Sequence, residues 1–210
     1  GNGVCEGEEP VGAMEHRFSL ASGEEQTIHF VFGVARRYQE IFQEMEVEAA
    51  LEWQMVEAQW KRRCGAWKIQ SGSLDFDSMV NYWLKKQVTY LTRLNRLTAH
   101  CPVRNQLQDA MGYALVEPDE AFRYALEVLK QQKLDGSIKQ WYHVNGLPDE
   151  GLSTLEHSDG PVWLILCITS IIDHCQKPYL YDIIVSYKGG SREDTVLAHL
   201  KRAAFYMGTQ

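Results

Sequence analysis

"FDSMVNYWLKKQVTYLTRLNRL", residues 76–97, decides the fold class. Phe76, Met79, Val80, Trp83, Leu84, Val88, Leu91, Leu94 and Leu97 recur at the spacing of one helical face, i, i+3, i+4 and i+7. Ser73, just upstream, suits the N-cap, because its hydroxyl can accept a bond from an otherwise unpaired first-turn N–H. The pattern predicts a long core helix.

The same period continues downstream. It predicts helices at 106–115, 118–133, 160–174 and 193–207. Pro118 with Asp119 and Glu120 reads as a helix start, and Gly189-Gly190 followed by Ser191 as the entry and cap of the last helix. Upstream, Val34 to Arg63 reads as a connecting helix, with Tyr38, Ile41, Phe42 and Met45 on one face and Leu51, Met55 and Trp60 further on. Before it, His16–Leu20 and Thr27–Phe32 read as two strands about the turn "ASGEEQ". A lone hairpin is not stable in water, so these strands are expected to close a larger β-domain. The chain is therefore expected to be mainly α, with helical hairpins stacked as a bundle or closed as an α/α toroid and no fixed-period repeat.

Composition excludes several classes. A net charge of −7 with no basic cluster argues against a nucleic-acid partner. The longest apolar run, "PVWLILCITSII" (161–172), is too short for a bilayer and reads as a buried helix. Cys5, Cys64, Cys101, Cys167 and Cys175 are odd in number, with no CxxC pair and no zinc spacing, so reduced thiols, no metal and a cytoplasmic location are expected. The opening "GNGVCEGEEPVG" is acidic and Gly-rich, unlike a secretory leader.

Three polar-aromatic segments fall at helix ends or in loops: "RNQLQD" (104–109), "DGSIKQWYH" (135–143) and "EHSDGPVW" (156–163). Carboxylates, amides and a guanidinium bind vicinal hydroxyls, and an indole covers the apolar face of a pyranose, so together they suit a sugar. Each also has a structural reading. Arg104 and Asp109 can be an ion pair at a helix N-terminus, Trp141 and Tyr142 core aromatics, His143 a satisfied histidine, and Ser158 and Asp159 helix caps.

The order of these segments resembles glycoside hydrolase family 94, the inverting phosphorylases of cellobiose, chitobiose and β-1,2-glucan oligosaccharides together with the matching domain of cyclic β-1,2-glucan synthases. "RNQLQD", "EPDEAF", "DGSIKQWYH", "HSDGPVWL" and "VLAHLKRA" follow one another as the family's motifs do, and "PVGAMEHRFSLASGEEQTIHFVFG" looks like the last strands of its β-sandwich. The resemblance implies a piece of a larger enzyme: sandwich strands over 1–33, a helical linker over 34–70 and the first part of an (α/α)6 barrel over 71–210. It implies phosphorolysis of β-glucan oligosaccharides to glucose 1-phosphate, with inorganic phosphate as co-substrate and no other cofactor. "RNQLQD" leans towards the β-1,2 branch. On this likeness Arg104, Gln108 and Asp109 hold the sugar at the cleavage point, Trp141 and His143 line the funnel, and Ser158 and Asp159 meet an adjacent hydroxyl or cap their helix.

Two positions depart from the family pattern. Asn105 stands where the resemblance implies the general acid, and Gly160 replaces the second Asp of an S-D-D motif. An amide donates no proton to a leaving oxygen, so the protein is either silent or protonated from elsewhere, with Asp109 and Asp159 as the nearest candidates. A catalytically silent carbohydrate-binding or scaffold protein is the first rival, and a helical interaction protein without a sugar site the second. An incomplete toroid is expected to leave an apolar flank exposed, with a homodimer as one consequence.

Overall fold

The structure, a computed structural model, describes residues 14–30, 48–94, 100–143, 159–190 and 192–209. It is mainly helical and divides into two units, residues 1–54 and 55–210. In the first unit the expected hairpin is reduced to its turn. Gly23 sits at a positive φ, and the Ala21 carbonyl accepts from the Glu24 N–H at 3.1 Å, but no ladder forms among the described residues of 14–30. Met14, Phe18, Leu20 and Phe30 remain exposed, so alternation there has no apolar surface to pair against. Of the connecting helix, the described part is α1, Ala49–Gly65; residues 31–47 lie outside the described residues.

Ser73 caps as expected, its hydroxyl accepting from the Phe76 N–H at 3.4 Å. The helix that follows is not uniform. It runs as α2 (Leu74–Ser78), a π-helical turn (Met79–Leu84) and α3 (Lys85–Leu94), while 95–99 lie outside the described residues. The buried positions along this helix are Asn81, Lys85, Thr89 and Thr92. The reading of a core helix is thereby corrected. Phe76, Met79, Trp83, Leu84, Leu91 and Leu94 are exposed, whereas Val88 packs on the core.

The polar inward face has partners. Asn81 accepts from the Ile69 N–H and donates to the Ile69 carbonyl, both at 2.9 Å. Lys85 Nζ donates to the carbonyls of Cys64, at 2.8 Å, and of Trp67, and lies 4.1 Å from the Trp67 ring centroid. A cation there satisfies carbonyls at the C-terminal end of α1 and meets the negative end of its dipole. Arg62 grips Glu117 with two bonds, at 2.6 and 3.0 Å, and buried Arg63 adds a third at 3.2 Å.

The core lies among four later helices. α4 spans Val103–Ala114, α5 Pro118–Leu129, α6 Gly160–Cys175 and α7 Val196–Gly208. Leu107, Leu129, Leu164, Ile168 and Ile171 are fully buried between them. Each such side chain contributes roughly 1.5–3 kcal/mol by leaving water. Pro118 opens α5 and acidic residues fill its first turn, as read from sequence, but α5 ends at Leu129 rather than 133. The last helix begins at Val196, not 193. Thr195 caps it, accepting from the Ala198 N–H at 3.1 Å, and Ser191 lies outside the described residues.

Among the described residues of this unit there are also two short antiparallel ladders. β1 (His100–Pro102) pairs with β2 (Trp141–His143), in the register His100 to His143, Cys101 to Tyr142 and Pro102 to Trp141. β3 (Ile184–Ser186) pairs with β4 (Glu193–Thr195). Helical periodicity gave no sign of either, because strands of three residues are too short to show alternation.

Candidate active site

The first ladder positions the site. Its hydrogen bonding continues past Pro102, where the Val103 N–H donates to the Gln140 carbonyl at 3.0 Å, so the start of α4 lies beside residues 138–141. Behind it, Gln106 accepts from the Tyr142 hydroxyl and donates to Cys101 Sγ at 3.2 Å, fixing the first turn of α4 to both strands. Burial, aided by neighbouring Cys101, pushes the Tyr142 hydroxyl well above the ordinary tyrosine range. It stays protonated as a structural donor.

The entry to β2 is equally fixed. Asp135 accepts from the Ser137 N–H at 2.9 Å and the Ser137 hydroxyl at 2.7 Å, which closes an Asx turn. Gly136 follows at φ +97°, where a Cβ would stand 2.3 Å from the Arg202 carbonyl oxygen. Glycine is needed there both for the backbone angle and for close contact with α7. Asp135 and Gly136, conspicuous in the sequence motif, therefore belong to the scaffold.

Between these segments lies a pocket of about 170 Å³, lined by Pro102, Val103, Arg104, Asn105, Ile138, Lys139, Gln140, Trp141, Asp159 and Gly160. All three sequence segments contribute to it. At this size it holds one ring edge or one functional group, since a site enclosing a drug-sized ligand spans roughly 300–1,000 Å³. Arg104 Nη1 donates to Asp159 Oδ2 at 3.1 Å across the opening. Asp159 stands at the N-cap position of α6, yet its side chain makes no cap bond. α4 likewise starts at Pro102 without a side-chain cap, so two helix N-termini, each partially positive, face the same space.

The structure brings together Arg104, Asn105, Trp141 and Asp159 of the residues singled out in the sequence. Gln108 is exposed and lies outside the lining, as does half-buried Asp109, whose carbonyl accepts from Thr92 Oγ1 at 3.3 Å on the α3 side. Arg104 and Asp109 do not form the ion pair that the sequence allows, because five residues along a helix separate their faces and Arg104 reaches Asp159 instead. His143 is also outside the lining, its ring 4.6 Å from that of His100 across the ladder. Ser158 lies outside the described residues.

Lys139, Gln140 and Ile138 were not singled out, although they sit inside the quoted motif. A lysine and a glutamine before an aromatic read most simply as solvated surface. Gly160 gains a reason: a Cβ on it would stand 2.6 Å from Ile138 Cγ2, so the aspartate of the family pattern has no room.

The sequence profile described as the Glycosyl hydrolase 94 superfamily, catalytic domain, matches residues 59–209. Over 209 residues the chain is 41% identical to a 3-O-beta-D-glucopyranosyl-beta-D-glucuronide phosphorylase of Paenibacillus borealis, covering 98% of this chain and 27% of that protein. It is 28% identical over 179 residues to a cellobionic acid phosphorylase of Neurospora crassa, covering 79% and 22% respectively. A solabiose phosphorylase of Paenibacillus borealis is 30% identical over 193 residues, covering 85% and 24%. The chain thus spans about a quarter of the length of the curated relatives it matches.

Proposed function

The chain belongs to the glycosyl hydrolase 94 superfamily through its catalytic domain, residues 59–209, and from that premise we propose that the protein carrying it performs inverting phosphorolysis of β-linked glucosyl oligosaccharides. The observation that carries this reading is the meeting of Arg104, Asn105, Trp141 and Asp159, drawn from three distant segments, in one pocket. Arg104 and Asp159 offer a donor and an acceptor to vicinal hydroxyls, the Asn105 amide offers both, and Trp141 offers an apolar plane to the ring. The helices of residues 71–210 would then be the first part of an (α/α)6 barrel, preceded by a linker and sandwich strands, in a cytoplasmic protein.

In the reaction a phosphate oxygen attacks the anomeric carbon from the face opposite the leaving oxygen. The glycosidic bond breaks, its electron pair stays on the leaving oxygen, and that oxygen takes one proton, giving α-glucose 1-phosphate and a free acceptor. Asn105 has no such proton to give, and Asp159 is engaged as the acceptor of Arg104. Asp109, off the pocket lining, fits the role less well. We therefore assign this chain to holding the sugar and the protonation to a carboxyl group elsewhere in the full-length protein.

The names of two relatives carry an acidic sugar, a glucuronide and cellobionic acid. An acceptor unit bearing a carboxylate is accordingly part of the proposal. The β-1,2 linkage rests on "RNQLQD" alone, against the 3-O linkage in the name of the 41% identical relative. A panel of β-linked glucosyl disaccharides incubated with the full-length protein and phosphate tests the reading. Release of glucose 1-phosphate supports it; sugar binding without release favours the silent binding protein that Asn105 brings to mind.

A further inference from the structure

No described residue of α7 lines the pocket, yet "VLAHLKRA" (196–203) is one of the segments whose order resembles the family's. Its histidine, His199, is fully buried, as is Gln132, and the two are joined. The Gln132 amide nitrogen donates to the carbonyls of Gly136, at 3.1 Å, and His199, at 3.2 Å. Those two bonds turn the amide oxygen to the imidazole, so the His199 Nδ1–H donates to it at 2.7 Å. On the far side of the ring, Nε2 lies 3.0 Å from the Val185 carbonyl of β3. Gln132 thus ties α7 to the turn at 133–137.

That turn carries one wall of the pocket. The Gly136 N–H donates to the Lys133 carbonyl at 3.0 Å and the Lys133 N–H to the Ser137 carbonyl at 2.9 Å, so the turn moves as one piece. The lining residues 138–141 leave directly from it. Further along α7, Arg202 Nη1 donates to the Leu134 carbonyl at 2.8 Å, and Gly136 packs on the Arg202 backbone. α7 is therefore the template on which the turn is set, with His199 and Gln132 as its buried anchor.

We propose that His199 is a positioning residue: through Gln132 it fixes the turn at 133–137 and so the wall, residues 138–141, against which the sugar lies. The inference rests on the phosphorolysis reading and deepens it. Both side chains are sealed from solvent, so no water replaces a lost partner and the disturbance passes to the Gly136 carbonyl. A small misplacement of a binding group by a distant change is enough to cost activity. A histidine that only fills space would act equally through Val185 and through its stack on Tyr187, at 3.9 Å between ring centroids. The positioning role singles out the Nδ1 side.

Two variants of the full-length protein separate the two sides of the ring. In His199→Asn an amide nitrogen stands near the place of Nδ1 and keeps the Gln132 bond; in His199→Gln it reaches the place of Nε2 and keeps the Val185 bond. Both lose the stack on Tyr187, and both are expected to lower the thermal midpoint to a similar extent. Glucose 1-phosphate release from β-linked glucosyl disaccharides is then read as KM against kcat. His199→Gln is expected to raise KM about fivefold or more with kcat within about threefold, since protonation is assigned elsewhere, while His199→Asn stays within about twofold of wild type in KM. Arg202→Met, at a partly exposed side chain, loses only the hold on Leu134 and should raise KM about two- to threefold at an unchanged thermal midpoint. Equal KM in the two His199 variants overturns the assignment; where they do not fold, an unchanged KM in Arg202→Met does. If wild type binds the disaccharides without turnover, the phosphorolysis reading alone falls, and calorimetric Kd replaces KM in the same comparison. If no disaccharide binds, the sugar site and the inference fall together.

Discussion

Arg104 and Asp159, fifty-five positions apart, meet at 3.1 Å across the mouth of a pocket that three separate segments build. Their side chains keep 54% and 37% of their surface exposed, so the pair adds little to folding, about 0–1 kcal/mol. Its geometry, a planar guanidinium opposite a carboxylate, serves a ligand better than a core. Arg104→Ala and Asp159→Asn are expected to leave the thermal midpoint nearly unchanged while raising KM for the β-glucoside tenfold or more. Arg104→Lys should not rescue, because an ammonium lacks the guanidinium's fork of donors. Midpoint shifts of several degrees with unchanged KM would make the pair structural.

Asn105 lines the same pocket one position on. Were it the seat of a lost general acid, Asn105→Asp would raise phosphorolysis by about 100-fold or more. Our assignment of the proton to another part of the protein predicts no gain. A carboxylate one residue from Arg104 would also compete with Asp159 for it, so a modest loss is expected. Initial rates of glucose 1-phosphate release decide between the two.

Gly160 is the other departure from the family pattern, and packing explains it. A Cβ there would approach Ile138 Cγ2 to 2.6 Å, and Ile138 is buried and β-branched, so it yields little. Gly160→Ala should destabilise by about 1–3 kcal/mol. Ile138→Ala makes room at its own cavity cost, and the double variant should lose less than the two single losses together, by about 1 kcal/mol or more. Strict additivity in urea unfolding would show that the clash is relieved by other means.

How much of this was legible in the sequence differs from element to element. The last four helices could be read because long amphipathic segments with Pro118 or an apolar run declare themselves locally. Phe76 to Leu94 misled for a physical reason: apolar spacing says that a face exists and not which way it points, and here Phe76, Met79, Trp83 and Leu94 are exposed. The inward face is held by Lys85 and Asn81 bonded to backbone groups, which no hydrophobic pattern reports. The site was half legible. Arg104, Trp141 and Asp159 were picked out by residue type, but their meeting depends on a ladder of three residues per strand that is set by tertiary pairing rather than periodicity. Asp109 was chosen by position in a motif, and the helix turns it away. Lys139 went unread because only the folded structure places this surface-type residue in the pocket lining.

Asp135 supplies a prediction in pH. Partial burial raises its carboxyl, but the bonds from the Ser137 hydroxyl and N–H, with nearby Lys133, outweigh that and hold it below the usual carboxylate range. A folded-state pKa depressed in this way gives stability that is fully present above the unfolded value of about 3.9 and is lost as pH falls through the folded one. Asp135→Asn keeps an oxygen that can accept from Ser137 but carries no charge to lose. The thermal midpoint of wild type should therefore fall more steeply than that of the variant between about pH 4 and pH 2, while the two run parallel from pH 5 to 7. Other acids titrate in that window, and taking the difference between the two proteins removes their share. Parallel curves down to pH 2 would mean that the turn before β2 does not depend on the charge of Asp135, and its geometry would have to be credited to Gly136 alone.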